Sequence, residues 1–140
     1  MSMAGPSGQA VAAPAEKAAR RPFVILCASG FESVERVRSA LMFSTLAASA
    51  EYDVVLYCVQ SGVEVMVRGA IWERERPVPG VPTLSQRLKE AMDWGVRIMC
   101  CSQSLANKGI KAEDLLEGVE IAGAMTLISI AGDAAGTLSF

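Results

Sequence analysis

The sequence predicts an α/β fold: a single-domain three-layer sandwich with a central, mostly parallel sheet flanked by helices. Three observations carry this. Short apolar runs at Phe23–Ala28, Asp53–Val59 and Val96–Cys101 have the length and continuity of strands buried on both faces. They alternate with stretches of helical period, as in βα units. A chain of 140 residues with a 51% hydrophobic fraction matches one domain with a sizeable core.

The elements follow in order. Met1 to Arg21, rich in Ala, Gly, Pro and Ser without sustained period, reads as a flexible tail, so the folded domain is placed at residues 22–140. Phe23–Ala28 is the first strand, followed by a helix over Ser33–Ser49 with Val34, Val37, Leu41 and Leu46 on one side. Asp53–Val59 is the second strand. Val63–Ile71 reads as a short helix, and Trp72-Glu73-Arg74-Glu75-Arg76, leading into a proline- and glycine-rich stretch, as a surface loop with a solvated face. Thr83 or Ser85 caps a helix running to Trp94, in which Leu84, Leu88 and Met92 recur every four residues, and Gly95 ends it. Val96–Cys101 is the third strand and Ser102–Asn107 a short helix closed by Gly109. Asp114–Glu117 reads as another short helix, Gly123–Ile130 as a small-residue helix, and Thr137–Phe140 as the last strand.

Composition excludes several function classes. There is no histidine, so imidazole-based hydrolases and His-containing zinc sites have no material. With 13 basic and 15 acidic residues, nothing draws the chain to nucleic acid or to an anionic membrane. Apolar stretches break well short of the roughly 20 residues a membrane span needs. The order of charges near the N-terminus is wrong for a signal peptide, and a cytoplasmic location is expected. The four cysteines are expected to be reduced thiols. They contain no CxxC pair, and no metal site or cofactor is expected. Ser29-Gly30 follows the first strand where open α/β sheets receive anions, but the further glycines of a dinucleotide fingerprint are absent.

Sulfur chemistry remains. Cys101 closes a buried strand at the start of a helix, where backbone amides stabilise a thiolate, which makes it the first candidate nucleophile. Cys100 should face the other side of the strand. Cys27 and Cys58 end their own strands on the same sheet edge and read as core side chains; a cysteine after a buried strand is often just that.

The segment Cys101-Ser102-Gln103-Ser104-Leu105-Ala106-Asn107-Lys108-Gly109-Ile110, followed by Glu113-Asp114-Leu115 and Gly118-Val119-Glu120-Ile121-Ala122-Gly123, resembles the DsrE/DsrF/TusD-like sulfurtransferases, including DsrE-type proteins of heterodisulfide-reductase-like sulfur oxidation. The resemblance extends more loosely from Phe23 to Phe140. It implies a DsrE-like fold and a persulfide carried on Cys101, with Cys100 as an extra neighbouring thiol. It also implies exchange of sulfane sulfur with a TusA-like carrier, contact with a heterodisulfide-reductase-like complex, and a homo-oligomer, a trimer ahead of a dimer or hexamer. A thiol redox protein and a non-catalytic scaffold subunit are the competing readings.

Overall fold

The computed structural model describes residues 19–140; the expected tail lies, up to residue 18, outside the described residues. Five strands form one sheet in the order β4-β3-β2-β1-β5, with every neighbouring pair parallel. They are β1 (Pro22–Cys27), β2 (Asp53–Cys58), β3 (Arg97–Cys101), β4 (Glu120–Ala122) and β5 (Gly136–Ser139). Among the described residues six α-helices flank them: α1 (Val34–Ser49), α2 (Gly62–Val65), α3 (Ala70–Arg74), α4 (Leu84–Asp93), α5 (Ser102–Asn107) and α6 (Ala124–Asp133).

The pleat divides the core in two. Ile25, Leu56, Ile98 and their in-register neighbours pack against Val37, Leu41, Leu84, Leu88 and Ala91 of α1 and α4. Val55, Tyr57, Met99 and Cys101 form a smaller cluster on the other face, joined by Leu127 and Ile130 of α6. That helix must cross the second face, because it links β4 at one sheet edge to β5 at the opposite edge.

Local chemistry explains the element ends. Thr83 caps α4: its hydroxyl accepts from the Gln86 amide at 3.1 Å, while the Gln86 side chain accepts from the Thr83 amide at 2.8 Å. This reciprocal pair satisfies two orphan donors. Gly95 follows the helix at φ +84°, a conformation that suits a residue without Cβ.

Four expectations need correction. The single helix expected over Val63–Ile71 is two short ones, α2 and α3, separated by a turn with Gly69 at φ +83°. The surface loop expected from Trp72 instead continues α3 through Arg74, because Ala70 and Ile71 bury one side of that turn. Asp114–Glu117 is no helix; a 3₁₀ turn at Ala112–Asp114 leads into a bridge between Leu115 and Val67. Leu46, expected on the buried side of α1, is 52% exposed, because it follows Leu41 by five residues, about 140° around the helix, and so turns away from the stripe of Val37, Leu41, Ser44 and Ala48 that is buried.

The loops after β1 and β2 are wedged together at the sheet's C-terminal edge. A Cβ on Gly30 would run into the Ser61 carbonyl oxygen, and one on Gly62 into the Cys27 carbonyl oxygen. Both obstacles are backbone, so they cannot rotate away. Gly62→Ala is expected to destabilise the fold by about 1–3 kcal/mol, the usual cost of overpacking, seen as a lower urea midpoint with unchanged slope.

Candidate active site at Cys101

Cys101 is the last residue of β3 and the residue that precedes α5, so its sulfur meets the free amides of a helical first turn. The chain reaches this geometry directly, with φ −63° and ψ 123° at Cys101 before helical torsions begin. It is 7% exposed.

Burial alone would raise the thiol's pKa. Here it is outweighed: the Ser104 amide, the Ser104 hydroxyl, the Tyr57 hydroxyl and the Gln103 amide all favour the anion, and the net effect holds Cys101 below the ordinary thiol value. In the resting geometry no closed capping hydrogen bond joins the sulfur to these amides. Their influence falls on the charged form.

Each donor is itself held. The Ser104 hydroxyl is buried and accepts from the Gln60 amide at 2.9 Å, which leaves its own proton free to face the sulfur. Gln60 makes that bond from an unusual backbone conformation, φ +52°. The wedged loop of Ser61 and Gly62 follows it immediately. Tyr57 is buried on the same face as Cys101, and its hydroxyl donates to the Ala122 carbonyl at 2.9 Å. Burial first, and then the bond to Cys101, push the phenol well above its usual range, so it stays a donor. At the far end of α5, Lys108 reaches Glu64 at 2.8 Å, and Glu64 also binds Arg74 at 2.9 Å. The two cations hold the Glu64 carboxyl below its usual range.

The other thiols stand apart. Cys27 pairs in register with Cys58 and Cys58 with Cys100, so the three lie abreast on the α1/α4 face, opposite Cys101. Burial pushes Cys27 up to about 11, and its thiol meets the Ser29 carbonyl at 3.3 Å. The bond with Cys100, and then burial, raise Cys58 well above an ordinary thiol. All four cysteines are free, and among the described residues no cluster of His, Cys, Asp or Glu is arranged to hold a metal ion. Among the same residues no helix is long and apolar enough to cross a membrane.

Sequence reading singled out Cys101 and Cys100, and the structure sets them back to back. It missed Tyr57 and Gln60. Tyr57 looks like one more apolar residue of a strand, and its position shows only when β4 is known to lie beside β3. Gln60 contributes through its backbone, for which a side-chain pattern holds no signal.

In the native protein, iodoacetamide is expected to modify Cys101 first, with Cys27, Cys58 and Cys100 reacting only after unfolding in urea. The thiolate is the reacting form, so the Cys101 rate should rise about tenfold per pH unit below its midpoint and then level off. A lowered pKa places that midpoint below 9, the unperturbed value. A midpoint at or above 9 would contradict the site geometry. Ser104→Ala should move the midpoint upward, slow the reaction at neutral pH by about three- to tenfold, and cost about 1–2 kcal/mol of stability through the abandoned Gln60 amide.

The same architecture occurs in solved proteins. The YchN protein from E. coli superposes with a TM-score of 0.71 at 22% identity, covering 86% of this chain and 99% of that one. The MTH1491 protein of Methanobacterium thermoautotrophicum superposes with a TM-score of 0.62 at 21% identity, covering 86% and 99%. In sequence, the chain is 26% identical over 118 residues to the uncharacterized protein MJ0989 of Methanocaldococcus jannaschii, spanning 84% of this chain and 98% of that protein. The sequence pattern of the DsrE/DsrF-like family matches residues 22–140, which take in every strand and helix of the sheet and its two flanking layers. The chain belongs to the DsrE/DsrF-like family.

Proposed function

We propose that this protein is a cytoplasmic sulfur-transfer protein that carries sulfane sulfur as a persulfide on Cys101 and exchanges it with a TusA-like carrier, in contact with a heterodisulfide-reductase-like complex. Membership of a family often involved in sulfur relay supports this reading. The observation that carries it is the surrounding of Cys101 by donors that favour its anion, while the other three thiols share the opposite face.

The chemistry asks little else of the protein. The Cys101 thiolate attacks the outer sulfur of a donor persulfide; a new S–S bond forms, the donor's S–S bond breaks, and the donor leaves as a thiolate. An acceptor thiolate then attacks the outer sulfur on Cys101 and returns Cys101 as thiolate. The sulfane sulfur passes on without net oxidation or reduction, and no general base is needed. A partner must reach the sulfur of a residue that is 7% exposed, and the persulfide helps by extending the reacting atom about 2 Å outward. A dithiol redox cycle is less well supported, because no other cysteine shares the Cys101 face.

A homo-oligomer, with a trimer ahead of a dimer or hexamer, belongs to the same proposal. Helix α6 buries no residue completely, and Met125 and Ile128 on it are 75% and 60% exposed. Single-domain proteins seldom leave so apolar a helix uncovered.

The test is intact-protein mass spectrometry after incubation with polysulfide. The wild type and Cys100→Ser should gain whole sulfur atoms that dithiothreitol removes, Cys101→Ser should gain none, and the loaded protein should pass the sulfur to a TusA-like carrier. Loading that persists in Cys101→Ser and disappears in Cys100→Ser would move the role to the neighbouring thiol. Light scattering of the wild type is expected to give a mass above that of one chain; a stable monomer would overturn the assembly.

A further inference from the structure

Tyr57 has one phenolic proton and two acceptors within its reach. Its ring starts from β2, and its hydroxyl ends on the Ala122 carbonyl of β4, 2.9 Å away. The strand between is β3, where Tyr57 is level with Met99, so a ring whose hydroxyl ends on Ala122 crosses obliquely towards the end of β3 that Cys101 closes. Cys101 and Ala122 are register partners, and all three residues pack in one cluster.

We propose that the Tyr57 proton is a two-position reporter of the sulfur's state: it serves the Ala122 carbonyl while Cys101 Sγ is neutral and turns to Sγ when that atom is a bare thiolate, releasing the carbonyl. This deepens the persulfide-carrier reading and rests on it. A hydrogen bond to a charged acceptor is roughly twice as strong as one to a neutral carbonyl, so the thiolate wins the proton. In a persulfide the negative charge sits on the outer sulfur, about 2 Å from Sγ, and the inner sulfur is a weak acceptor. Loading therefore returns the hydroxyl to Ala122.

The place where the signal arrives matters. Ala122 is the last residue of β4, and Gly123 leads directly into α6, whose Leu127 and Ile130 rest on the same cluster. The empty and loaded proteins thus hold the β4–α6 junction differently, and a partner can tell them apart without touching the sulfur. The ionisable groups acting on Tyr57 are Cys101 and, behind the strand, Cys100; α6 and β1 face this cluster with Leu127, Ile130 and Leu26. Tyr57 is a positioning residue in this scheme.

The test is a ¹³C NMR titration of the full chain that follows the Cys101 Cβ and the Ala122 carbonyl together. In the wild type both should move with one midpoint. In Tyr57→Phe the Ala122 signal should stay flat through the Cys101 titration, the Cys101 midpoint should rise, and alkylation below the midpoint should slow about tenfold. In Cys101→Ser, which keeps the tyrosine, Ala122 should also stay flat. An Ala122 carbonyl that ignores the Cys101 midpoint in the wild type, or that titrates unchanged in either variant, overturns the proposal. No sulfur donor is needed for these measurements, so their failure leaves the carrier reading standing, and a failure to load sulfur would leave the titration result standing.

Discussion

Parallel register is the constraint on which the site depends. Because β1, β2 and β3 align Cys27, Cys58 and Cys100 side by side, all three thiols fall on one face, and the period of two sends Cys101 to the other. A slip of β3 by one residue would exchange Cys100 and Cys101 and also place Met99 among α1 and α4. The buried pattern on both faces forbids that slip. The division of the thiols is therefore as strongly specified as the hydrophobic core.

On the Cys101 face, the result is a contest between desolvation and hydrogen bonding. A thiol this well covered would lose its thiolate if it met only apolar side chains, which is close to what happens to Cys27. Cys101 escapes because two amides and two hydroxyls converge on it, and those donors come from two parts of the chain far apart in sequence. Ser104 and Gln103 arrive with α5, while Tyr57 arrives on β2. The glycine-wedged loops keep Gln60 where its amide can hold the Ser104 hydroxyl, and the Lys108–Glu64–Arg74 ion pairs tie the end of α5 to α2 and α3. Exposed ion pairs of this kind contribute modestly to stability, so their value here is chiefly positional.

Much of this was legible in the sequence where pattern and physics agree. Continuous apolar runs mark β1, β2 and β3, a capping hydroxyl at Thr83 or Ser85 marks the start of α4, and Cys101 followed by Ser102-Gln103-Ser104 marks the strand-to-helix junction. What was hidden has definite causes. β4 has three residues, opens on a glutamate held by Arg97, and pairs only at a sheet edge, so no apolar run announces it. The split between α2 and α3 depends on Gly69 and on the Leu115 bridge to Val67, a contact between distant segments. Leu46 is one of several apolar residues in α1, and only the packing shows that the buried stripe runs through Val37, Leu41, Ser44 and Ala48, with Leu46 turned away from it. Once β4 was missed, the Tyr57–Ala122 contact could not be inferred.

In the proposed carrier one thiol of the four holds the sulfur, and its own face of the sheet makes it able to. A crystal structure of the polysulfide-treated protein shows which thiol does so. Added sulfur density is expected on Cys101 Sγ, extending away from the sheet beside the Gln103 and Ser104 amides, with Cys27, Cys58 and Cys100 unmodified. Density on any thiol of the α1/α4 face, or a loaded protein whose Cys101 is bare, would contradict it.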